Sequence, residues 1–288
     1  MNRLAGFTAA AASVVALLVM ASSALAVEHH PKGEYAQFAD CPLSNSSVGA
    51  CVYAKTESGE FVVGKQQVPI VNPITLQGGV IFGSPEKFVA AEDGNTLSKS
   101  PQKVPGGLAG LIRCNEIKEF FLRLACEIVF ENGLTGVNAT TELAAPASSI
   151  GINTVNLLTA KGTALSLPVK VHLENAFLGS GCYIGSNAHP IVIELTTGTT
   201  SPPPPNKPIT GSVGELSLNE AETILTSKNN KLVNNSFAAP KTEGCGAFGI
   251  LDGLVDSKLG LPAAAGANTA ILIGTLKNAN AAAVKASE

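Results

Sequence analysis

The chain has 288 residues, with 19 Lys+Arg against 22 Asp+Glu, and is 45% hydrophobic, 14% charged and 5% aromatic. Charge is scarce beside the roughly 25% of an average soluble protein, while Gly (29) and Pro (17) are frequent, so turns and extended segments are favoured over long charged helices. With no basic excess and three arginines (Arg3, Arg113, Arg123), the electrostatic footprint of a nucleic-acid binder is missing; the lack of Trp and the presence of only Tyr35, Tyr53 and Tyr183 argue against stacking platforms for sugars or single strands.

Residues 1–26 read as a signal peptide. Arg3 gives a positive start, Ala9 to Met20 is apolar, and Ala24-Leu25-Ala26 supplies the small-x-small cleavage pattern. The apolar run is shorter than the roughly 20 residues that span a bilayer. No cysteine sits at the cut to take a lipid, and the C-terminal ANAAAVKASE carries neither a hydrophobic tail nor a sorting motif. The expectation is a secreted β-rich domain over residues 27–288, released or held to the cell envelope without a transmembrane segment, with Asn132-Gly133 as a candidate sub-boundary.

From Val27 onward, EHHPKGE reads as a polar tail. CVYAKT and EFVVG flank Glu57-Ser58-Gly59, which predicts a hairpin. QVPIV and ITLQGGVIF follow as strands separated at Asn72-Pro73, and residues 84–105 are expected as a surface loop. CNEIKEFFLRLAC shows helical spacing through Ile117, Phe121, Leu124 and Ile128. Beyond Leu134 a second strand-rich region is expected: GVNATTEL, INTVNLL, then LSLPVKVHLENAF with Val169, Val171 and Leu173 on one face and Lys170, His172 and Glu174 on the other. PIVIELTTG is its expected antiparallel neighbour.

Pro202 to Pro205 is expected as a long loop within one domain rather than a linker. Ser217 to Glu220 matches a capping box, but ELSLNEAETILTSKNNKLV reads better as two strands joined at Asn229-Asn230. GAFGILDGLVDSKLG is expected as a helix through Phe248, Leu251, Leu254 and Val255, stopped by Gly260-Leu261-Pro262, and TAILIGTL as a central closing strand. About ten short strands with two or three small helices predict a mainly β, two-layered, sandwich-like body.

Six cysteines (Cys41, Cys51, Cys114, Cys126, Cys182, Cys245) follow the cleavage site, and their spacings of 10, 12, 56 and 63 lack the tight pairs of a metal site. The sequential pairing, 41 with 51, 114 with 126 and 182 with 245, is the expected one of the 15 connectivities six cysteines allow. In one straight helix Cys114 and Cys126 would stand about 18 Å apart, beyond the 7 Å limit of a bridge, so two short helices bent near Asn115 to Glu119 are expected.

The motifs of a serine esterase elbow, a zinc protease, a phosphate loop and a dinucleotide fold are all missing. Four histidines remain. His29 and His30 fall in the polar tail; His172 and His189 could be brought together by a hairpin, with Glu174 or Glu194 as the acid of a hydrolase. The pairs Glu127/Glu131 and Asp252/Asp256 are expected on solvated helix faces, and no calcium loop or other metal or cofactor site is read from the four aspartates. Asn45, Asn138 and Asn234 begin glycosylation sequons.

Three stretches, CPLSNSSVGACVYAKTESGEFVVG, CNEIKEFFLRLACEIVFENGLTGV and SFAAPKTEGCG, resemble uncharacterised secreted proteins of high-GC Gram-positive bacteria. The resemblance covers most of the chain after residue 26. It implies export, cysteines used as a framework, and sequons left bare; it carries no activity, substrate or site residue. The function expected is therefore a non-enzymatic structural or binding module outside the cytoplasm, with a cell-envelope or protein partner. A secreted hydrolase using His172 or His189 and a carrier of an apolar ligand are the alternatives. A carrier would need an apolar cavity of several hundred Å3.

Overall fold

The computed structural model describes residues 29–108, 117–124 and 136–288. The expected leader, the Cys114–Cys126 bridge and the Glu127/Glu131 pair lie outside the described residues. Two antiparallel sheets pack face to face, as the alternating patterns predict. In the first, β11 (Glu215–Leu218), β12 (Ile224–Asn234), β14 (Thr269–Asn280), β1 (Ala50–Val63), β3 (Ile74–Ile81) and β4 (Lys87–Ala90) lie in that spatial order, and β2 (Gln66–Pro69) pairs with the far end of β1. In the second, β8 (Leu165–Glu174) is the hub. It pairs with β6 (Asn138–Leu143) and β7 (Gly151–Ile152) on one side and with β10 (Ile191–Leu195) and β9 (Tyr183–Ile184) on the other. The short β5 (Gln102–Lys103) and β13 (Thr242–Glu243) extend it.

Leu167, Val169, Leu173, Ile191, Ile193 and Leu195 of the second sheet face Ile74, Leu76, Leu232 and Ala270 of the first and form the main core. The period-two alternation of β8 and β10 puts their aliphatic side chains on one face, where removal from water stabilises the fold at roughly 25 cal/mol per Å2. The two sheets touch through paired hydrogen bonds between Thr196 and Val233, of 3.0 and 2.9 Å.

Two turns expected from sequence are bulges instead. Gly59 lies inside the continuous strand β1, and Asn229 inside β12. The register of β1 slips between Thr56 and Ser58 and that of β12 between Ser227 and Asn230, and both slips fall opposite Gly274 of the strand between them. A Cβ on Gly274 would lie 1.9 Å from the Lys55 carbonyl oxygen. Glycine is required by that close approach, and the extra residues bend the sheet across its middle.

The chain from β11 to β12 turns at residues 219–223, ten residues before the expected join. The capping-box helix is not formed there, since Ser217 belongs to β11. INTVNLL, expected as a strand, contains the helical turn α1 (Thr154–Thr159). The side chain of Asn153 accepts a hydrogen bond from the Asn156 amide at 2.8 Å, and Ala160 ends it in the left-handed region, so caps at both ends outweigh local β propensity. The expected loop at 84–105 contains β4 and β5. The closing helix α2 (Asp252–Leu259) begins four residues after Phe248, buries Val255 and Leu259, and stops at Gly260 as expected. Residues 120–124 are helical, with Ile117 buried but Phe121 and Leu124 exposed rather than turned to the core.

The outer face of the first sheet carries a layer made from both ends of the described chain. Phe38, Leu43 and Val48 pack with Ile224, Ala279 and Val284, the last from α3 (Ala281–Ala286). His29 was expected in a loose tail. It is instead enclosed, with Nδ1 2.5 Å from Glu288 and Nε2 3.1 Å from Glu92. Tyr35 bonds Thr223 at 2.6 Å, and Asn219 donates to Glu34 at 2.8 Å. Cys41–Cys51 ties this layer to β1, and Cys182–Cys245 ties the start of β9 to the end of β13; both match the expected pairing, with Cα separations of 5.4 and 4.1 Å. No helix among the described residues is long and apolar enough to cross a membrane.

Candidate functional site

The outer face of β8 carries Lys170, His172 and Glu174, as its alternation predicts. Antiparallel pairing sets Tyr183 of β9 directly beside His172. Their rings stack at 4.4 Å with 12° between planes, and the Lys170 ammonium lies 4.6 Å from the Tyr183 centroid. The Tyr183 hydroxyl is pushed above its ordinary value, first by burial and then by the charges of Glu142 and Glu174, so it stays a protonated donor at neutral pH. Glu174 accepts a hydrogen bond of 2.8 Å from Thr140, and its other oxygen is 3.7 Å from His172 Nδ1.

Beside this column lies an open groove of about 430 Å3, bordered by Lys170, Tyr183, Ser186, Asn187 and Glu243. Its far wall is the loop after β13. Gly244 there approaches Gly181 so closely that a Cβ would stand 2.3 Å from the Gly181 carbonyl oxygen. The neighbouring Cys182–Cys245 bridge, buried at both ends, holds the two loops at that distance. Asp252 reinforces the wall by accepting from the amides of Cys245 at 2.6 Å and Gly244 at 3.3 Å. Asp256 accepts from both the amide and the hydroxyl of Thr242, at 2.7 and 2.8 Å. The expected solvated pair Asp252/Asp256 is therefore a pair of caps, Asp256 buried and Asp252 half-buried: the wall needs acceptors for amides that no strand satisfies.

The two sequence-flagged histidines are not brought into one site. β9 takes the place beside β8 at Val171 and His172. His189 sits in the loop between β9 and β10 and finds its own acid, Glu243, at 3.7 Å. Glu194 stands on β10 opposite Ser166, and the acids that face the two rings are Glu174 and Glu243 instead. Among the described residues no serine hydroxyl is hydrogen-bonded to either ring; Ser186 accepts from the His189 backbone amide at 3.2 Å. The chain of nucleophile, base and orienting acid that acyl transfer requires is thus not assembled around them. Glu243 was missed by the sequence reading, yet the expected Cys182–Cys245 pairing contained the signal, since it forces Glu243 against Tyr183.

No protein-family model, curated protein or solved structure matches this chain. Site chemistry must therefore be judged from its own geometry. Among the described residues no group of three or more His, Cys, Asp or Glu could hold a metal ion. Between the sheets, two adjoining apolar spaces of about 50 and about 60 Å3 share Phe61, Thr141, Val169 and Ile193 as walls. An engineered protein cavity of about 150 Å3 takes one benzene, so this interior falls well short of the room a carrier was expected to need. Of the three sequons, Asn45 and Asn138 are exposed, whereas Asn234 is 7% exposed and donates to the Glu194 carbonyl.

Proposed function

We propose that the protein is exported and acts outside the cytoplasm as a disulfide-stapled, non-enzymatic structural or binding module of the cell envelope or its surroundings. One observation carries this reading: both described disulfides are buried within the body, one fastening the terminal layer to β1 and the other the short strands β9 and β13. Such bonds form and persist in oxidising compartments. The polar groups at and around the groove support the same reading. Lys170 in its lining, and His172, Glu174 and His189 outside it, each have a side-chain neighbour of opposite or aromatic character, an arrangement suited to a fixed recognition surface.

The test is to express the full chain in a Gram-positive host and map non-reduced peptides from the medium by mass spectrometry. The expected result is a mature N-terminus at Val27 with peptides linked through Cys41–Cys51 and Cys182–Cys245. Retention in the cytoplasm with free thiols overturns the proposal. Hydrolysis of simple aryl esters by the purified protein, lost in His172→Ala or His189→Ala, would replace it with the hydrolase.

A further inference from the structure

The two sheets leave one edge unlike the rest. At one end of the first sheet, β4 packs against β7 and the turn Ala147–Ser149, and β2 packs against β5. At the other end β11 has β12 as its only hydrogen-bonded strand neighbour among the described residues. All four residues of β11 are exposed, including Leu216 at 51% and Leu218 at 56%. It lacks the proline, lysine or bulge by which natural edge strands usually resist pairing.

Register shows why the leucines are there. Leu216 pairs with Ser227, Ser227 with Leu276, Leu276 with Ala54, and Ala54 with Leu76. Cross-strand partners share a face, and Leu76 belongs to the main core. The core-facing surface of the first sheet therefore runs on to Leu216 and Leu218, beyond where the second sheet covers it. The backbone is equally unfinished. Asn219 donates to the Ile224 carbonyl at 3.1 Å, so the alternation of an antiparallel ladder points the amides of Ser217 toward β12 and those of Leu216 and Leu218 outward.

We infer that this edge pairs with the same edge of a second copy of the chain, antiparallel about Ser217. In that register Leu216 of one copy lies opposite Leu218 of the other, joining four leucines on one face. Glu215 lies opposite Asn219, whose side-chain amide already serves Glu34 and Thr223, and Glu220 opposite Gly214, so no carboxylate lies directly opposite another across the seam. A shift by one residue would set Glu215 against Leu218 and bring the leucines of the two copies onto opposite faces. The contact is small, below the roughly 1,200 Å2 of a stable interface, so the dimer is weak and concentration-dependent.

Sedimentation equilibrium of the secreted chain from about 10 μM to about 1 mM spans the range where such small contacts associate. The expected result is a mass rising toward two chains, with the amides of Leu216 and Leu218 gaining protection from hydrogen exchange at the high end. The double variant Leu216→Lys/Leu218→Lys should weaken association at least about tenfold through like charges and lost apolar contact, while Val192→Lys on the second sheet leaves it unchanged. Leu218→Pro, which removes an outward donor, provides a second test if the lysine variant does not fold. A monomer mass at every concentration overturns the inference, as does a dimer that survives the β11 variants or leaves the two amides unprotected.

Discussion

The two disulfides serve regions built on different principles. Cys41–Cys51 joins the terminal layer to β1, and Cys51 is already paired with Ala279 on one side and Gly79 on the other. His29, Glu34 and Tyr35 add further ties between that layer and distant parts of the chain. Cys182–Cys245 instead joins β9 and β13, two strands of two residues each. There the ladder is too short to position the chain, and a covalent bond with the capping carboxylates of Asp252 and Asp256 replaces it. A disulfide is one tie among several where a sheet is long and the main tie where it is short.

The largest expected effect breaks the second region. Cys182→Ser/Cys245→Ser opens a loop of 63 residues, and loop-closure entropy predicts a loss of about 4 kcal/mol. The 10-residue loop of Cys41–Cys51 predicts about 3 kcal/mol for the matching double variant. Denaturant unfolding should rank the two in that order, and His189 and Tyr183 resonances should shift only in the first. Equal losses with no change at the groove would erase the distinction between the regions.

Asp256→Ala sharpens it at the level of one cap. It strands the amide of Thr242, whose hydroxyl keeps the Asp252 carbonyl at 3.1 Å, and an unpaired buried donor costs about 1–3 kcal/mol; urea midpoints at constant slope would measure it. Phe248→Asn should act in the opposite direction. Phe248 is fully exposed in the left-handed region, at φ 58° and ψ 24°, where Asn is far better tolerated, so a gain of up to about 1 kcal/mol is expected in thermal unfolding. A loss would mean that the ring makes contacts worth more than its strain.

The smallest effect concerns the terminal layer and is read through pH. The Asp40 carboxyl is held above its ordinary value by burial, then by Asp93 and Glu92, against an opposing hydrogen bond from Gln77. The folded state therefore holds this proton more tightly than the unfolded chain does. Stability contributed by the group is present below its unfolded value and declines as pH rises through the folded one. Asp40→Asn should flatten that decline. A pH series of unfolding midpoints with the same slope in both proteins would remove Asp40 as its source.

Much of this architecture was legible in the residues. Lys170, His172 and Glu174 alternate with Val169, Val171 and Leu173, and the structure gives them opposite faces of β8. The helix stop at Gly260 and the two described disulfides also followed from local pattern and cysteine count. The site was less legible. His172 and His189 are near each other in order along the chain, but β9 separates them, and their carboxylates come from Glu174 and Glu243.

Sequence alone determined which segments extend and which side chains share a face, because period-two alternation is a property of the strand itself. Tertiary structure decided what those segments meet. Glu57-Ser58-Gly59 and Asn229-Asn230 have the composition of turns, and only the neighbouring strand with Gly274 makes them stretches of bulged strand. Asp252 and Asp256 have the spacing of a wet helix face, and only the unpaired amides of the groove wall turn them inward. A residue's conformational preference is local, but the partner that uses it arrives from elsewhere in the chain.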